Sequence, residues 1–102
     1  MKIIELDAGN WSTIIDFDDA LVARLGSPKY VGYSVDSLID AMIWGGLNAV
    51  EPPYTIRIRN VRQLPKAVLE RIELAKHELA EARAEFNRRK GHDVEVLVDL
   101  VP

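Results

Sequence analysis

Residues 54–60 read YTIRIRN, and the alternation in this stretch decides the fold. Ile56 and Ile58 stand two residues apart with Arg57 and Arg59 interleaved, the period of a strand with one apolar and one polar face. Such a strand belongs in a sheet that is covered on one side and wet on the other. Residues 93–101, DVEVLVDLV, repeat the pattern: Val94, Val96, Val98 and Leu100 share one face, and Glu95, Leu97 and Asp99 the other. Residues 2–6, KIIEL, are a short β-branched run closed by the turn-like DAGN and supply a strand at the start of the chain.

Between these strands the period changes to that of a helix. In residues 11–25, Ile14, Phe17, Leu21 and Leu25 recur at helical spacing, with Ser12 or Asp16 as the cap and Gly26 and Pro28 as the stop. A second helix starts from Ser34 as N-cap, with Tyr33 and Leu38 at hydrophobic-staple positions, and ends at Gly45-Gly46. Val35, Leu38, Ile39 and Met42 form its buried stripe. Residues 64–90 make a long helix with Pro65 near its first turn, Gly91 past its end, and Val68, Ile72, Ala75, Leu79, Ala82 and Phe86 along one side.

Strand, two helices, strand, long helix, strand implies parallel pairing through right-handed crossovers. The expected architecture is a two-layer α/β fold: a three-stranded parallel sheet in the order 1-2-3 with all helices on one face. On the open face, Arg57 and Arg59 are expected to pair with Glu95 and Asp99. The whole chain, residues 1–102, reads as one domain, long enough to bury its own core.

Composition narrows the function. The formal charge of −3 argues against general nucleic-acid binding, which requires a basic surface. With no cysteine there is no disulfide framework, thiolate metal site or cysteine nucleophile. Glu5 and Asp7 interrupt the apolar residues of the first strand too early for a signal peptide, and no run approaches membrane-spanning length. The chain therefore reads as soluble, cytoplasmic and free of membrane contact.

Catalytic motifs are missing. His77 lies about 200° around its helix from both Ala75 and Leu79, and so faces away from the buried stripe. His92 sits in a turn. Both read as surface histidines, and no zinc, phosphate-loop or serine-elbow pattern occurs. Arg88, Arg89 and Lys90 occupy the last turn of the long helix, where cations are favoured by the helix dipole, and Glu85 precedes Arg89 at pairing distance.

Asp36 and Asp40 remain. Asp36, in the first turn after Ser34, is favoured by the positive helix end, whereas Asp40 lies beyond it and is repelled by Asp36. The two carboxylates point about 40° apart on the helix, opposite much of the apolar stripe. They fit a metal pair, a catalytic pair, an anionic contact surface or a plain solvated face. A convex helix lacks the further ligands a metal needs and the lined pocket catalysis needs, so contact surface is the best functional reading.

Residues 30–40, YVGYSVDSLID, resemble the signature of the barstar family, intracellular protein inhibitors of ribonucleases, in which a Tyr-x-Gly loop leads into a helix of the form hydrophobic-Asp-x-Leu-x-Asp. The likeness extends to the first strand, the proline-bearing loop before the second, and Gly91-His92-Asp93 before the third. It implies that Asp40 is the central contact, entering the basic phosphate-binding site of a nuclease. Asp36 stands beside it, with Tyr30, Gly32, Tyr33, Ser34 and Ile39 framing the pair. It further implies that Trp44 serves as an aromatic contact at the helix end, Glu85 as an acidic contact on the long helix, and Pro52-Pro53 as a cis bond. Family members carry asparagine at the position of Ser34, an acidic residue near Tyr33 and tryptophan at Ile39.

The expected function is that of a stoichiometric, non-catalytic inhibitor of a basic ribonuclease or related toxin, of immunity-protein type, acting as a monomer without cofactor, metal or nucleic acid. The alternative is an interaction module of the same fold whose partner is not a nuclease.

Overall fold

The structure is a computed structural model that describes residues 2–27, 34–45 and 48–102, the side chain of Val35 excepted. Strands β1 (Lys2–Asp7), β2 (Tyr54–Arg59) and β3 (Val96–Val101) form a parallel sheet in the order β1-β2-β3. Helices α1 (Ile14–Leu25), α2 (Val35–Ile43) and α3 (Lys66–Lys90) and a 3-10 turn, Val61–Gln63, connect them. Tyr54, Ile56 and Ile58 in β2 are at most 1% exposed and join Ile4, Leu6 and Val96 under the helices. Each such side chain contributes about 1.5–3 kcal/mol through burial, which explains why the alternation fixes which face is covered.

The other face is open, and its rows follow from the register. Ile3, Thr55 and Leu97 lie side by side, then Glu5, Arg57 and Asp99, then Asp7, Arg59 and Val101. Arg57 stands 3.7 Å from Glu5 and 3.6 Å from Asp99, and Arg59 stands 3.9 Å from Glu5. The expected pairing with Asp99 is present, but Glu5, not Glu95, completes the row. Glu95 precedes β3, and its carbonyl instead accepts the Tyr54 amide at 3.0 Å.

Helix α1 begins later than its periodicity predicts. Thr13, rather than Ser12 or Asp16, is the N-cap, and Asp16 reaches back to accept the amides of Ser12 at 2.7 Å and Thr13 at 3.0 Å. At the far end Gly26 adopts φ +65°, and a β-carbon there would lie 2.5 Å from that of Ala49. The loop after α2 docks on this turn through the Ala49 and Val50 amides, which donate to Gly26 and Leu25. Asn48, also buried, accepts from the Ser27 hydroxyl and donates to the Ala41 carbonyl. The Pro52-Pro53 bond is cis, as the resemblance implies.

Helix α3 buries Val68, Ile72 and Leu79 fully and Ala75, Ala82 and Phe86 partly, the stripe read from the sequence. It also carries a contact that the sequence does not announce. Arg71 donates from Nε to Asp18 Oδ1 at 3.2 Å and from Nη2 to Oδ2 at 2.6 Å, and the two side chains are only 16% and 8% exposed. This bidentate pair ties α3 to α1. Where β1 and β2 finish, Trp11 packs on Phe17 and lines a hollow with Gly9 and Asn60. No helix among the described residues is long and apolar enough to cross a membrane.

Candidate functional site

Helix α2 is short, and its two ends are held differently. Ser34 caps the start, accepting the Ser37 amide at 3.1 Å, and its hydroxyl lies 3.0 Å from that of Ser37. At the other end the Trp44 amide closes on the Asp40 carbonyl at 2.9 Å, and Gly45 turns the chain with φ +74°. Leu38, Ile39, Ala41, Met42 and Ile43 bury the inner side against the core. The helix is thereby a rigid mount for whatever its outer side carries.

The outer side carries Asp36 and Asp40, both exposed, and neither forms an ion pair with a described residue. They do not share one setting. Asp40 forms a wall of an open groove between α2 and α3, together with Trp44, Gly45, Glu85 and Arg89, whereas Asp36 lies outside it. The convex surface expected for the pair does not hold for Asp40, because α3 packs against α2 and supplies the groove's second wall.

Trp44 forms the groove's aromatic part. It is 41% exposed and meets Phe86 edge-on at 4.9 Å between centroids. Phe86 in turn meets His92 at 5.3 Å, and Lys90 Nζ lies 5.9 Å over the Trp44 ring. Sequence reading placed Trp44 at the helix end and read Arg89 and Lys90 as cations of a C-terminal turn, without setting them beside Trp44. Their only signal was a helical spacing that an ordinary C-terminal turn also explains.

Two expected contacts take different positions. Ile39 is 6% exposed and lines a small apolar cavity of about 20 Å³ with Phe17, Leu21 and Leu38. Its side chain faces the core and is not presented to a partner, which corrects its place in the frame of Asp40. Glu85 does reach the groove, but Arg89 Nε engages its Oε1 at 2.6 Å and Arg88 engages its Oε2. Tyr30, Gly32 and Tyr33 lie outside the described residues.

Asp7 is held below the usual carboxylate range by bonds from the Asn60 side chain and the Gly9 amide, Asp16 by the Ser12 and Thr13 amides, and Asp93 by Arg83. Burial, with Glu51 nearby, pushes the Tyr54 hydroxyl up, and that hydroxyl has no hydrogen-bond partner among the described residues. His77 is exposed and paired with Glu81 at 2.6 Å. Among the described residues no group of three or more histidine, aspartate or glutamate side chains is arranged to hold a metal. What the α2–α3 groove offers chemically is a mounted carboxylate beside an aromatic ring.

With that geometry in place, comparison with known families gives one result. The family model described as Barstar (barnase inhibitor) matches residues 1–99. No curated protein matches the chain. The chain belongs to the barstar family, a family of inhibitors rather than enzymes.

Proposed function

From membership of an inhibitor family and the α2 surface together, we propose that this chain is a stoichiometric inhibitor of a basic ribonuclease and blocks its active site with α2 and the loop before it. The observation that carries the reading is Asp40: a carboxylate on a core-anchored helix, at the wall of a groove, with no cation paired to it among the described residues. In the complex it takes the place of an RNA phosphate among the enzyme's cations, where charge-assisted hydrogen bonds are strong. Because α2 is fixed by its buried side, little conformational freedom is lost on docking. Asp36 adds negative charge beside it and speeds encounter with a cationic enzyme. Trp44 supplies an exposed aromatic edge, and Ser34, with Tyr30, Gly32 and Tyr33, frames the approach.

The test is inhibition of barnase, the ribonuclease in the family's description, titrated with wild type, Asp40→Ala and Lys66→Ala. Wild type is expected to inhibit at one-to-one stoichiometry, Asp40→Ala to bind more weakly by about 2 kcal/mol, the scale of a hydrogen bond to a charged group, and Lys66→Ala to match wild type. Equal losses from Asp40→Ala and Lys66→Ala would sink the reading. Binding without inhibition would give the same surface to a partner other than a nuclease.

A further inference from the structure

We propose that the α2–α3 groove is bipolar: Asp40 meets the partner's cations, and Arg89 takes a carboxylate of the same partner. This rests on the inhibitor reading and specifies what the enzyme must carry.

The groove has two unlike walls. On α2 stands Asp40; on α3 stand Glu85 and Arg89, with Trp44 and Gly45 between them. Glu85 is already neutralised within the helix, since Arg89 and Arg88 engage its two oxygens separately. A carboxylate bound by two guanidiniums is a poor receptor for a third cation. It acts instead as a positioning residue. Arg89 spends only Nε on it, so that both terminal amino groups are without a bond to a described residue, and the side chain is 64% exposed. A guanidinium held at Nε presents the other two nitrogens as a planar fork whose shape matches a carboxylate.

Lys90 adds to the positive side of this rim, its ammonium over Trp44. A partner surface made of cations alone would face repulsion here. A ribonuclease centre that uses a carboxylate as its general base is not of that kind, because it sets that carboxylate beside the cations that hold the scissile phosphate. Asp40 against the cations and Arg89 against the carboxylate complement both halves. Arg89 is then a determinant of specificity, discriminating enzymes with a carboxylate beside their phosphate site from cationic proteins in general.

Association and dissociation rates with barnase, measured for wild type, Asp40→Ala, Arg89→Ala, Arg89→Lys and Glu85→Gln, test this. Arg89→Ala is expected to raise the dissociation rate about tenfold, through loss of a short-range bidentate bond. It should not lower the association rate, since removing a cation does not slow approach to a basic enzyme. Arg89→Lys, which keeps the charge and loses the fork, should also dissociate faster, and Glu85→Gln, which frees Arg89, by about threefold. An unchanged or slower dissociation of Arg89→Ala, with Asp40→Ala still dissociating faster, would overturn the bipolar groove and leave the inhibitor reading standing. Wild type that fails to bind barnase at all would overturn the inhibitor reading itself, and this inference with it.

Discussion

The open face of the sheet and the outer face of α2 are both charged, but the charges are arranged in opposite ways. On the sheet, Glu5, Arg57 and Asp99 form a row that neutralises itself, with Arg59 beside Glu5. On α2, Asp36 and Asp40 repeat one sign a turn apart and meet no cation among the described residues. Cross-strand neighbours of opposite charge support the sheet, whereas like charges at that helical spacing oppose the helix. Charge that the fold uses is answered within the chain; charge left unanswered is available to something outside it.

Four measurements break or sharpen this contrast. The largest effect is expected at the most enclosed answered charge, Asp18. Its replacement by alanine strands Arg71 between α1 and α3 and should cost about 3 kcal/mol in chemical denaturation. The unanswered charge should behave in the reverse manner. Asp40→Ala is expected to leave folding stability unchanged or raise it by a few tenths of a kcal/mol through relief of repulsion with Asp36, while losing about 2 kcal/mol of binding. Destabilisation comparable to that of Asp18→Ala would show that Asp40 serves the fold.

On the exposed row the effect should be smaller still. Arg57→Ala is expected to cost about 0.5 kcal/mol, because its partners are wet and 3.6–3.7 Å away. The last is a pH dependence. Asp7, Asp16 and Asp93 have native pKa values below the unfolded value of 3.8. Their bonds therefore stabilise the fold fully above that value, and the contribution is lost as pH falls through the lowered native values. A thermal melt series should show Tm level near neutrality and declining below about pH 4; Asp16→Asn should flatten part of that decline. A Tm that rises on acidification would contradict the assignment.

How much of this was legible in the sequence depended on the range of the interaction. Alternation in β2 and β3 gave the covered and open faces, since period 2 is a local property, and the 1-2-3 order followed from connection rules. Ser34 and the α3 stripe were likewise local. The Asp18–Arg71 pair joins two helices far apart in the chain, and nothing near either residue marks it. Glu5 was missed as the partner of Arg57 because choosing between two carboxylates requires the register. Thr13 displaced Ser12 as cap because the Asp16 side chain accepts both amides, which the spacing alone leaves open.

The candidate site divided in the same way. Asp40 was readable because its charge conflicts with local helix preference. The groove around it was not, because its second wall is α3, and only packing shows that Arg89 stands across from Asp40. Ile39 was assigned outward by resemblance although its own place in the apolar stripe pointed inward, and the packing followed the stripe.

The two tryptophans of the chain have a practical consequence. Trp11 sits where β1 and β2 end, packed on Phe17, while Trp44 sits in the groove, coupled through Phe86 to the segment that leads into β3. The molecule thus carries two intrinsic optical reporters at opposite ends of its sheet. With Trp11→Phe the remaining emission comes from the docking groove; with Trp44→Phe it follows the folded state at the other end, so that occupancy and unfolding can be read in separate channels without any added dye.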